Sequence, residues 1–299
     1  NTTGAKNSAF GVFALENNTT GAENVALGKD SLGANTTGPN NTAVGTNSLR
    51  RNTEGEDNTA VGNLALCTNT TGDHNVAVGL SALHKNTTAD NNVAVGTCAS
   101  GCNTDGHSNV SIGFSALCTN TTGDKNIAIG HQSLLSLATA NEIVAIGYNS
   151  LRALTTGTDN TAVGFEAGKS ITTGDRNTAM GYLALSTMTT VADNTAVGYK
   201  AMTANTSGSN NTAVGKDAML ANTTGANNVA IGQNALETST SGGANTAVGQ
   251  LAAQDLTTGA ENTAIGHEAG NNITTGTNNT LLGHEAGTDA VANVVASNG

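Results

Sequence analysis

The stretch Asn35–Arg51, NTTGPNNTAVGTNSLRR, recurs along the whole chain, and Asn222–Thr238, NTTGANNVAIGQNALET, is a second close copy. A glycine stands at every seventeenth residue from Gly11 to Gly283, so that seventeen repeats of seventeen residues follow one another without an insertion or deletion. Self-similarity at a fixed short period is typical of folds that stack identical units. The unbroken period predicts that one repeat forms one coil, because an extra residue would shift every later coil out of register.

Positions in the repeat are numbered 1 to 17 from Asn1. Positions 7 to 11 alternate as a strand does: position 8 is mostly Val or Thr, position 9 is Ala except at Ser111 and Leu281, position 10 is a large apolar residue and position 11 is Gly. We therefore predict an all-β fold, a parallel β-solenoid or β-roll of seventeen coils. It should span residues 1–289 as a single solenoid, followed by a degenerate partial coil at residues 290–299.

Composition and net charge exclude several classes of structure and partner. Aromatic residues make up 2% of the chain and Trp is absent, so a large globular core is not expected. The net charge of −11 argues against nucleic acid or an anionic membrane surface as a partner. No apolar run approaches the length of a membrane span. The chain begins within the repeat pattern, without an initiator Met or a signal peptide, and we expect it to be a processed or excised part of a longer protein.

The predicted strand is apolar on both faces. No charge occurs at positions 7 to 11, 14 or 15. A sheet with one solvated face would alternate apolar and polar residues. We expect positions 8 and 10 to fill a thin core, and the face of Ala9, Gly11 and their equivalents to meet a neighbouring chain. The sequence thus predicts an oligomer.

Position 7 is Asn in every repeat except the one with Ile143. Amides stacked about 4.8 Å apart can hydrogen-bond along the stack, and seventeen coils at that spacing make a rod of about 80 Å. We interpret this position as a structural Asn ladder, with a binding site as the alternative. The ladder comprises Asn24, Asn41, Asn58, Asn75, Asn92, Asn109, Asn126, Asn160, Asn177, Asn194, Asn211 and Asn228.

Rings of Phe, Tyr and His recur at position 12 of the repeat. Six consecutive repeats carry Phe114, His131, Tyr148, Phe165, Tyr182 and Tyr199 there. Six repeats with a ring at position 12 have an aliphatic residue at position 1: Leu137, Leu154, Ile171, Met188, Leu256 and Ile273. This pairing favours packing of the ring on the aliphatic side chain across the coil. The alternative is a recognition stripe that stacks on sugars or binds a partner.

The four cysteines are Cys67, Cys98, Cys102 and Cys118. Cys102 and Cys118 lie one coil and one position apart, which places their Cα atoms about 6 Å from each other, within disulfide range. We predict one disulfide, Cys98–Cys102 or Cys102–Cys118, formed in an oxidising compartment. Four free thiols are the alternative.

Both ends of the repeat array are more apolar than its middle. We expect them to be covered, either by another copy joined head to tail or by further parts of a longer chain. The candidate end contacts are Phe10, Val12, Phe13, Leu281, Leu282, Val291, Val294 and Val295.

No catalytic motif is present, and no glycine lies in a phosphate-binding loop. We therefore predict no enzyme activity, no cofactor and no metal site. Three weaker alternatives remain. His267 and His284 share position 12 in adjacent repeats and could hold a metal. Acidic residues near turns could bind calcium, although they do not form a calcium-binding repeat; these are Asp57, Asp73, Asp90 and Asp124. The Thr residues at position 2 could order water as an ice-binding surface.

The motif N-x-A-[VI]-G, as in Asn228–Gly232 and, with Leu, in Asn24–Gly28, resembles the head repeats of trimeric autotransporter adhesins. It is also similar to NTAVG repeat regions of phage-tail-fibre-like and other secreted fibrous proteins. The resemblance covers all seventeen repeats. It implies a left-handed β-roll, three chains side by side, and a fibre or adhesin at a cell or virion surface.

Two classes of function follow. The first is an extracellular structural or adhesive fibre that assembles with itself, side by side as a homotrimer and end to end as a filament, with a surface glycan or cell receptor as a further partner. The alternative is a ligand-binding solenoid for a glycan or ice. Neither class involves nucleic acid or a membrane span.

Overall fold

The computed structural model describes residues 2–288 of the 299-residue chain. Its regular elements are three-residue strands at positions 8 to 10 of each repeat, joined by turns, and no helix occurs among the described residues. The described residues form two compact units, divided between Asn149 and Ser150. Each unit is a parallel β-solenoid with one repeat per coil, which confirms the predicted all-β solenoid fold.

In the first unit the strands are β1 Ser8–Phe10, β2 Val25–Leu27, β3 Thr42–Val44, β4 Thr59–Val61, β5 Val76–Val78, β6 Val93–Val95, β7 Val110–Ile112, β8 Ile127–Ile129 and β9 Val144–Ile146. In the second unit they are β10 Thr161–Val163, β11 Thr178–Met180, β12 Thr195–Val197, β13 Thr212–Val214, β14 Val229–Ile231, β15 Thr246–Val248, β16 Thr263–Ile265 and β17 Thr280–Leu282. Within each unit a strand pairs in parallel with the next one, and each residue faces its equivalent seventeen residues later, as Ala43 faces Ala60.

The core lies on the opposite face of the strand from the one that the sequence predicts. Ala43 at position 9, Ser48 at position 14 and Leu49 at position 15 are completely buried, whereas Thr42 and Val44 on either side of Ala43 are only half-buried. The expectation that positions 8 and 10 fill the core and that the alanine face meets another chain was therefore wrong. The small alanine leaves room inside the coil for the leucine. The leucine supplies the core volume that was expected from the strand residues at positions 8 and 10.

The leucines at position 15 adopt an unusual backbone conformation. Leu49 has a φ of 47°, in the left-handed region, and most other residues at this position share it. This conformation costs an L-residue about 1–2 kcal/mol, whereas burying a leucine side chain contributes about 1.5–3 kcal/mol. The burial offsets the strain, and the strained turn is what directs the leucine into the coil.

The glycine at position 11 is required twice over. Gly96 has a φ of 135°, which L-residues rarely adopt, and a Cβ atom there would lie 2.4 Å from the carbonyl oxygen of Gly113 in the next coil. Both constraints recur along the stack. They explain why every repeat has Gly here, because any larger residue would clash with the backbone of the next coil.

Candidate functional site

The asparagines at position 7 are buried and link neighbouring coils. The backbone amide of Asn92 donates to the Oδ1 atom of Asn75 at 3.0 Å, and its Nδ2 atom donates to the carbonyl oxygen of Gly106 at 2.9 Å. Asn109 in turn donates its backbone amide to the Oδ1 atom of Asn92 at 2.9 Å. The link thus runs mainly from side chain to backbone, where the sequence analysis expected amide-to-amide bonds. Every polar atom of the Asn92 side chain is occupied, which gives it a structural role.

A second Asn ladder, at position 1, was missed by the sequence analysis. The Nδ2 atom of Asn52 donates to the Oδ1 atom of Asn35 at 2.9 Å and to the carbonyl oxygen of Gly55 at 2.8 Å. Asn69 continues the run with a bond of 2.8 Å to Asn52. The N-T-T-G motif carried the signal, because an Asn three residues before a Gly can bond to the backbone of its own turn.

Threonine hydroxyls at position 2 bond to the backbone. The Oγ1 atom of Thr36 donates to the carbonyl oxygen of Thr53 at 2.9 Å, and that of Thr53 donates to Thr70 at 3.1 Å. These hydroxyls are committed to holding the coils together. The position-2 hydroxyls are therefore not free to form an array that orders water.

Side chains at position 5 cap the preceding coil. The backbone amide of Asp73 donates to the Oδ1 atom of Asp90 at 2.8 Å, and that of His107 donates to Asp124 at 2.7 Å. In one coil His107 takes the place of the carboxylate, and its Nδ1 atom accepts a hydrogen bond of 3.0 Å from the backbone amide of Asp90. Within residues 2–288 no three His, Cys, Asp or Glu side chains come together in an arrangement that could hold a metal ion.

Charged side chains at position 6 pair between coils at the surface. Arg176 and Asp193 form two bonds, of 2.7 and 3.0 Å, and Lys6 lies 2.7 Å from Glu23. The hydrogen bond from Arg176 holds the pKa of Asp193 below its usual value, and the bond from Lys6 does the same to the pKa of Glu23. All four side chains are well exposed, so water screens these pairs and they add little to stability.

The outward face of the strands is an uncharged surface that recurs from coil to coil. Positions 8 and 10 point away from the buried alanine at position 9 and are half-buried or exposed in every strand. Val25, Leu27 and Ile231, for example, each keep more than a third of their surface exposed. No repeat has a charged residue at either position. We call this surface the outward face.

Rings at position 12 stack within each unit. In the first unit the Phe114 and His131 centroids are 5.3 Å apart, and those of His131 and Tyr148 are 5.0 Å apart. In the second unit the separations are 5.3 Å for Phe165 and Tyr182 and 5.2 Å for Tyr182 and Tyr199. Interplanar angles run from 8° to 17°. We call these two groups of three the ring stripes.

The stacking limits which parts of the rings a ligand can contact. A sugar that packs on an aromatic side chain needs the free face of the ring, whereas the face of Tyr182 is covered on both sides by its neighbours. The Phe and Tyr rings of the stripes are about half exposed. For Tyr182, and likewise for His131, what remains accessible is therefore the edge of the ring. Sugar stacking along the stripes is not supported by this geometry.

The aliphatic residues at position 1 occupy a different environment from the rings. Leu137, Leu154 and Ile171 are completely buried inside the coil, whereas the rings with which the sequence pairs them lie at the surface. Ile171 instead extends toward Gly168, where a Cβ atom would lie 3.0 Å from its Cδ1 atom. Ile171 thus fills space that the glycine at position 15 leaves open. The packing of these aliphatic side chains directly on the rings stays a prediction.

The predicted disulfide is not formed. Cys67, Cys98, Cys102 and Cys118 are free thiols. The backbone amide of Cys102 donates to the carbonyl oxygen of Cys118 at 3.0 Å, so these two residues are neighbours as expected. However, burial, followed by the nearby Cys102 and Cys98, raises the pKa of the Cys118 thiol. The thiolate that would attack a partner sulfur is therefore disfavoured.

His267 and His284 stack with their ring centroids 5.0 Å apart. Each imidazole also lies near the glutamate that follows it in the chain, at 3.7 Å for Glu268 and 3.5 Å for Glu285. The pair is a ring stack with flanking carboxylates, and among residues 2–288 it is not part of a group of three or more His, Cys, Asp or Glu side chains that could hold a metal ion.

The first described coil exposes the apolar residues that the sequence analysis singled out. Phe10, Val12 and Phe13 are 78%, 62% and 53% exposed, and residues of β1 and β2 line a shallow cavity of about 240 Å³. In the last described coil Leu282 is 75% exposed and Leu281 is half-buried. Val291, Val294 and Val295 lie outside the described residues.

No family model, no curated protein and no solved structure matches the chain. The likeness to adhesin heads and tail-fibre repeats therefore rests on the motif alone. The part of the chain that the structure describes contains no helix long and apolar enough to cross a membrane.

Proposed function

We propose that the chain is a structural and adhesive part of an extracellular fibre at a cell or virion surface, in which three copies associate side by side. The observation that carries the proposal is the outward face. It exposes Val, Ile and Thr in coil after coil and has no charged residue at positions 8 and 10 in the whole sequence. Extended apolar surfaces of this kind mark sites of interaction.

The periodicity of the outward face favours another copy of the chain as its partner. The face presents the same two positions once per coil, at the strand spacing of about 4.8 Å. A partner that packs along several coils needs side chains with the same repeat, and a second copy has them. The number of three copies is what the resemblance to adhesin heads implies. End-to-end association is a further part of the proposal, and it would cover Phe10 and Phe13.

Recognition of a glycan or cell receptor is the second candidate function. The exposed edges and hydroxyls of Tyr148, Tyr182 and Tyr199 favour it, because a tyrosine edge can both donate a hydrogen bond and make apolar contact. Such recognition would use the edges of the ring stripes, in line with the stacking described above.

The oligomeric state tests the side-by-side proposal. Sedimentation equilibrium of the wild-type protein should give three times the chain mass. Replacing Val163 and Val214 by Lys places two charges on the outward face of the second unit and should yield folded monomers. Circular dichroism would check that the fold is kept.

The matched control moves each charge by one residue. Replacing Ala162 and Ala213 by Lys buries the charges in the core, where both alanines are completely inaccessible, and should unfold the second unit. A wild-type protein that sediments as a monomer at all concentrations would contradict the proposed assembly. A valine double variant that remains trimeric would show that another surface mediates it.

A further inference from the structure

Two of the three tyrosines in the chain are neighbours in one ring stripe. Tyr182 and Tyr199 hold position 12 of adjacent coils, with their ring centroids 5.2 Å apart and their planes inclined by only 8°. The backbone amide of Lys200 donates to the carbonyl oxygen of Tyr182 at 2.8 Å, which fixes the spacing of the two coils beside the rings. The two phenol rings therefore lie face to face, one coil apart.

Both phenols are accessible to a reagent in solution. Tyr182 is 42% exposed and Tyr199 is 45% exposed. Phe165 stacks on the other face of Tyr182, and the next position-12 residue after Tyr199 is Lys216. Neither of these flanking residues has a phenol. In the first unit Tyr148 stacks on His131, which has none either.

We infer that Tyr182 and Tyr199 form an oxidative cross-linking site, at which a peroxidase with hydrogen peroxide joins the two rings as dityrosine and ties adjacent coils together. Each phenol loses one electron and one proton, and the two radicals join through the ring carbons beside their hydroxyls. The hydrogens on those carbons then move to the oxygens, which restores both phenols. The two electrons and two protons removed reduce one hydrogen peroxide to two waters.

The fold sets the selectivity of this reaction. Two groups held side by side react as if at a high local concentration, so the Tyr182–Tyr199 product should exceed any product of Tyr148 by at least about tenfold. A covalent tie between coils would strengthen a fibre at a place where peroxide reaches it. The inference does not depend on the oligomeric state of the chain.

The experiment treats the dilute, folded chain of 299 residues with peroxidase and hydrogen peroxide. Cleavage on the amino side of Asp175, Asp193 and Asp217 places Tyr182 and Tyr199 on separate peptides. We expect mass spectrometry to find these peptides joined, with two hydrogen atoms lost, and dityrosine fluorescence to rise in the monomeric band. Tyr182→Phe and Tyr199→Phe should each abolish the product, while Tyr148→Phe should leave it unchanged.

Phenylalanine already occupies this position at Phe114 and Phe165, so the variants should fold, and circular dichroism would confirm it. Two results would overturn the inference. One is a product that links Tyr148 or different chains while Tyr182 and Tyr199 stay unmodified. The other is an equal yield from the urea-unfolded chain, because coupling would then owe nothing to the stacked geometry.

Discussion

The Ser100 hydroxyl donates to the Ser111 hydroxyl at 2.9 Å in the core of the first unit, where both side chains are almost completely buried. Each residue is an exception to the repeat, since Ser100 replaces the usual Leu at position 15 and Ser111 replaces the usual Ala at position 9. The two exceptions lie in consecutive coils and satisfy each other. They are thus a single compensated change in the core.

Ser111→Ala should destabilise the protein. It leaves the Ser100 hydroxyl buried without this acceptor, which costs about 1–3 kcal/mol. The double variant Ser100→Leu with Ser111→Ala restores both consensus residues and should be at least as stable as the wild type. Urea denaturation of the two single variants and the double variant completes a double-mutant cycle. A coupling energy near zero would show that the two hydroxyls do not support each other.

Ser239→Asn should stabilise the protein. The Oδ1 atom of Asn222 and the Oγ atom of Ser239 are buried without a hydrogen-bond partner. An asparagine at 239 would extend the position-1 ladder by a bond to Asn222, as Asn52 does with Asn35. We expect a gain of about 1 kcal/mol, measured as a higher midpoint of urea unfolding. Ser239→Ala serves as the control and should not reproduce the gain. A less stable asparagine variant would count against the ladder as a stabilising element.

Gly96→Ala should be strongly destabilising. The added Cβ atom would lie 2.4 Å from a backbone oxygen of the next coil, at a φ of 135° that alanine rarely adopts. We expect a loss of more than about 2 kcal/mol. Gly101→Ala is the matched control, because its nearest atom would be 3.3 Å away and its φ is outside the left-handed region. Thermal unfolding followed by circular dichroism compares the two, and similar melting temperatures would contradict this account of position 11.

Thiol labelling should distinguish Cys67 and Cys118 from an ordinary cysteine. Burial raises the pKa of both thiols. At pH 8 we expect Cys67, the most buried of the four, to react with iodoacetamide more slowly in the native protein than in urea. The contribution of these protonated thiols to the free energy of unfolding is fully present below the thiol pKa of the unfolded chain. It is lost as the pH rises through the raised pKa of the folded state. Peptide mass spectrometry would measure the rates, and equal rates in both states would contradict the burial.

The fold was predictable from the sequence because the period alone requires equivalent residues to stack. The orientation of the strand was not. Ala43 and Val44 are both apolar, and nothing in the alternation states which of them points inward. The decision comes from the turn at Leu49, whose left-handed backbone brings a large side chain into the coil and leaves room only for alanine opposite.

The candidate sites, like the fold, were predictable only in part from the sequence. The buried Asn residues at position 7 could be identified from their repetition, but their bonding pattern could not, because an amide in a column can bond either to amides or to the backbone. The ring stripe at Tyr182 was likewise identifiable from its position. Its stacked geometry, which covers the ring faces, depends on side-chain rotation that the repeat does not specify.

Two triple variants of the tyrosines distinguish how the ring stripes act. Replacing Tyr148, Tyr182 and Tyr199 by Ser removes exposed rings, so the protein should stay folded and lose about 1–3 kcal/mol of stacking. Replacing all three by Phe keeps the stacked rings and removes only the hydroxyls. If the stripes bind a glycan or receptor by their edges, the Phe variant should lose the hydrogen bonds and bind cells or a glycan array more weakly than the wild type. The Ser variant, which also loses the apolar contact, should bind most weakly. Binding retained by the Phe variant and lost by the Ser variant would mean that the rings themselves make the contact. Unfolding of the Ser variant would instead place the rings in the core, against the exposure observed in the structure.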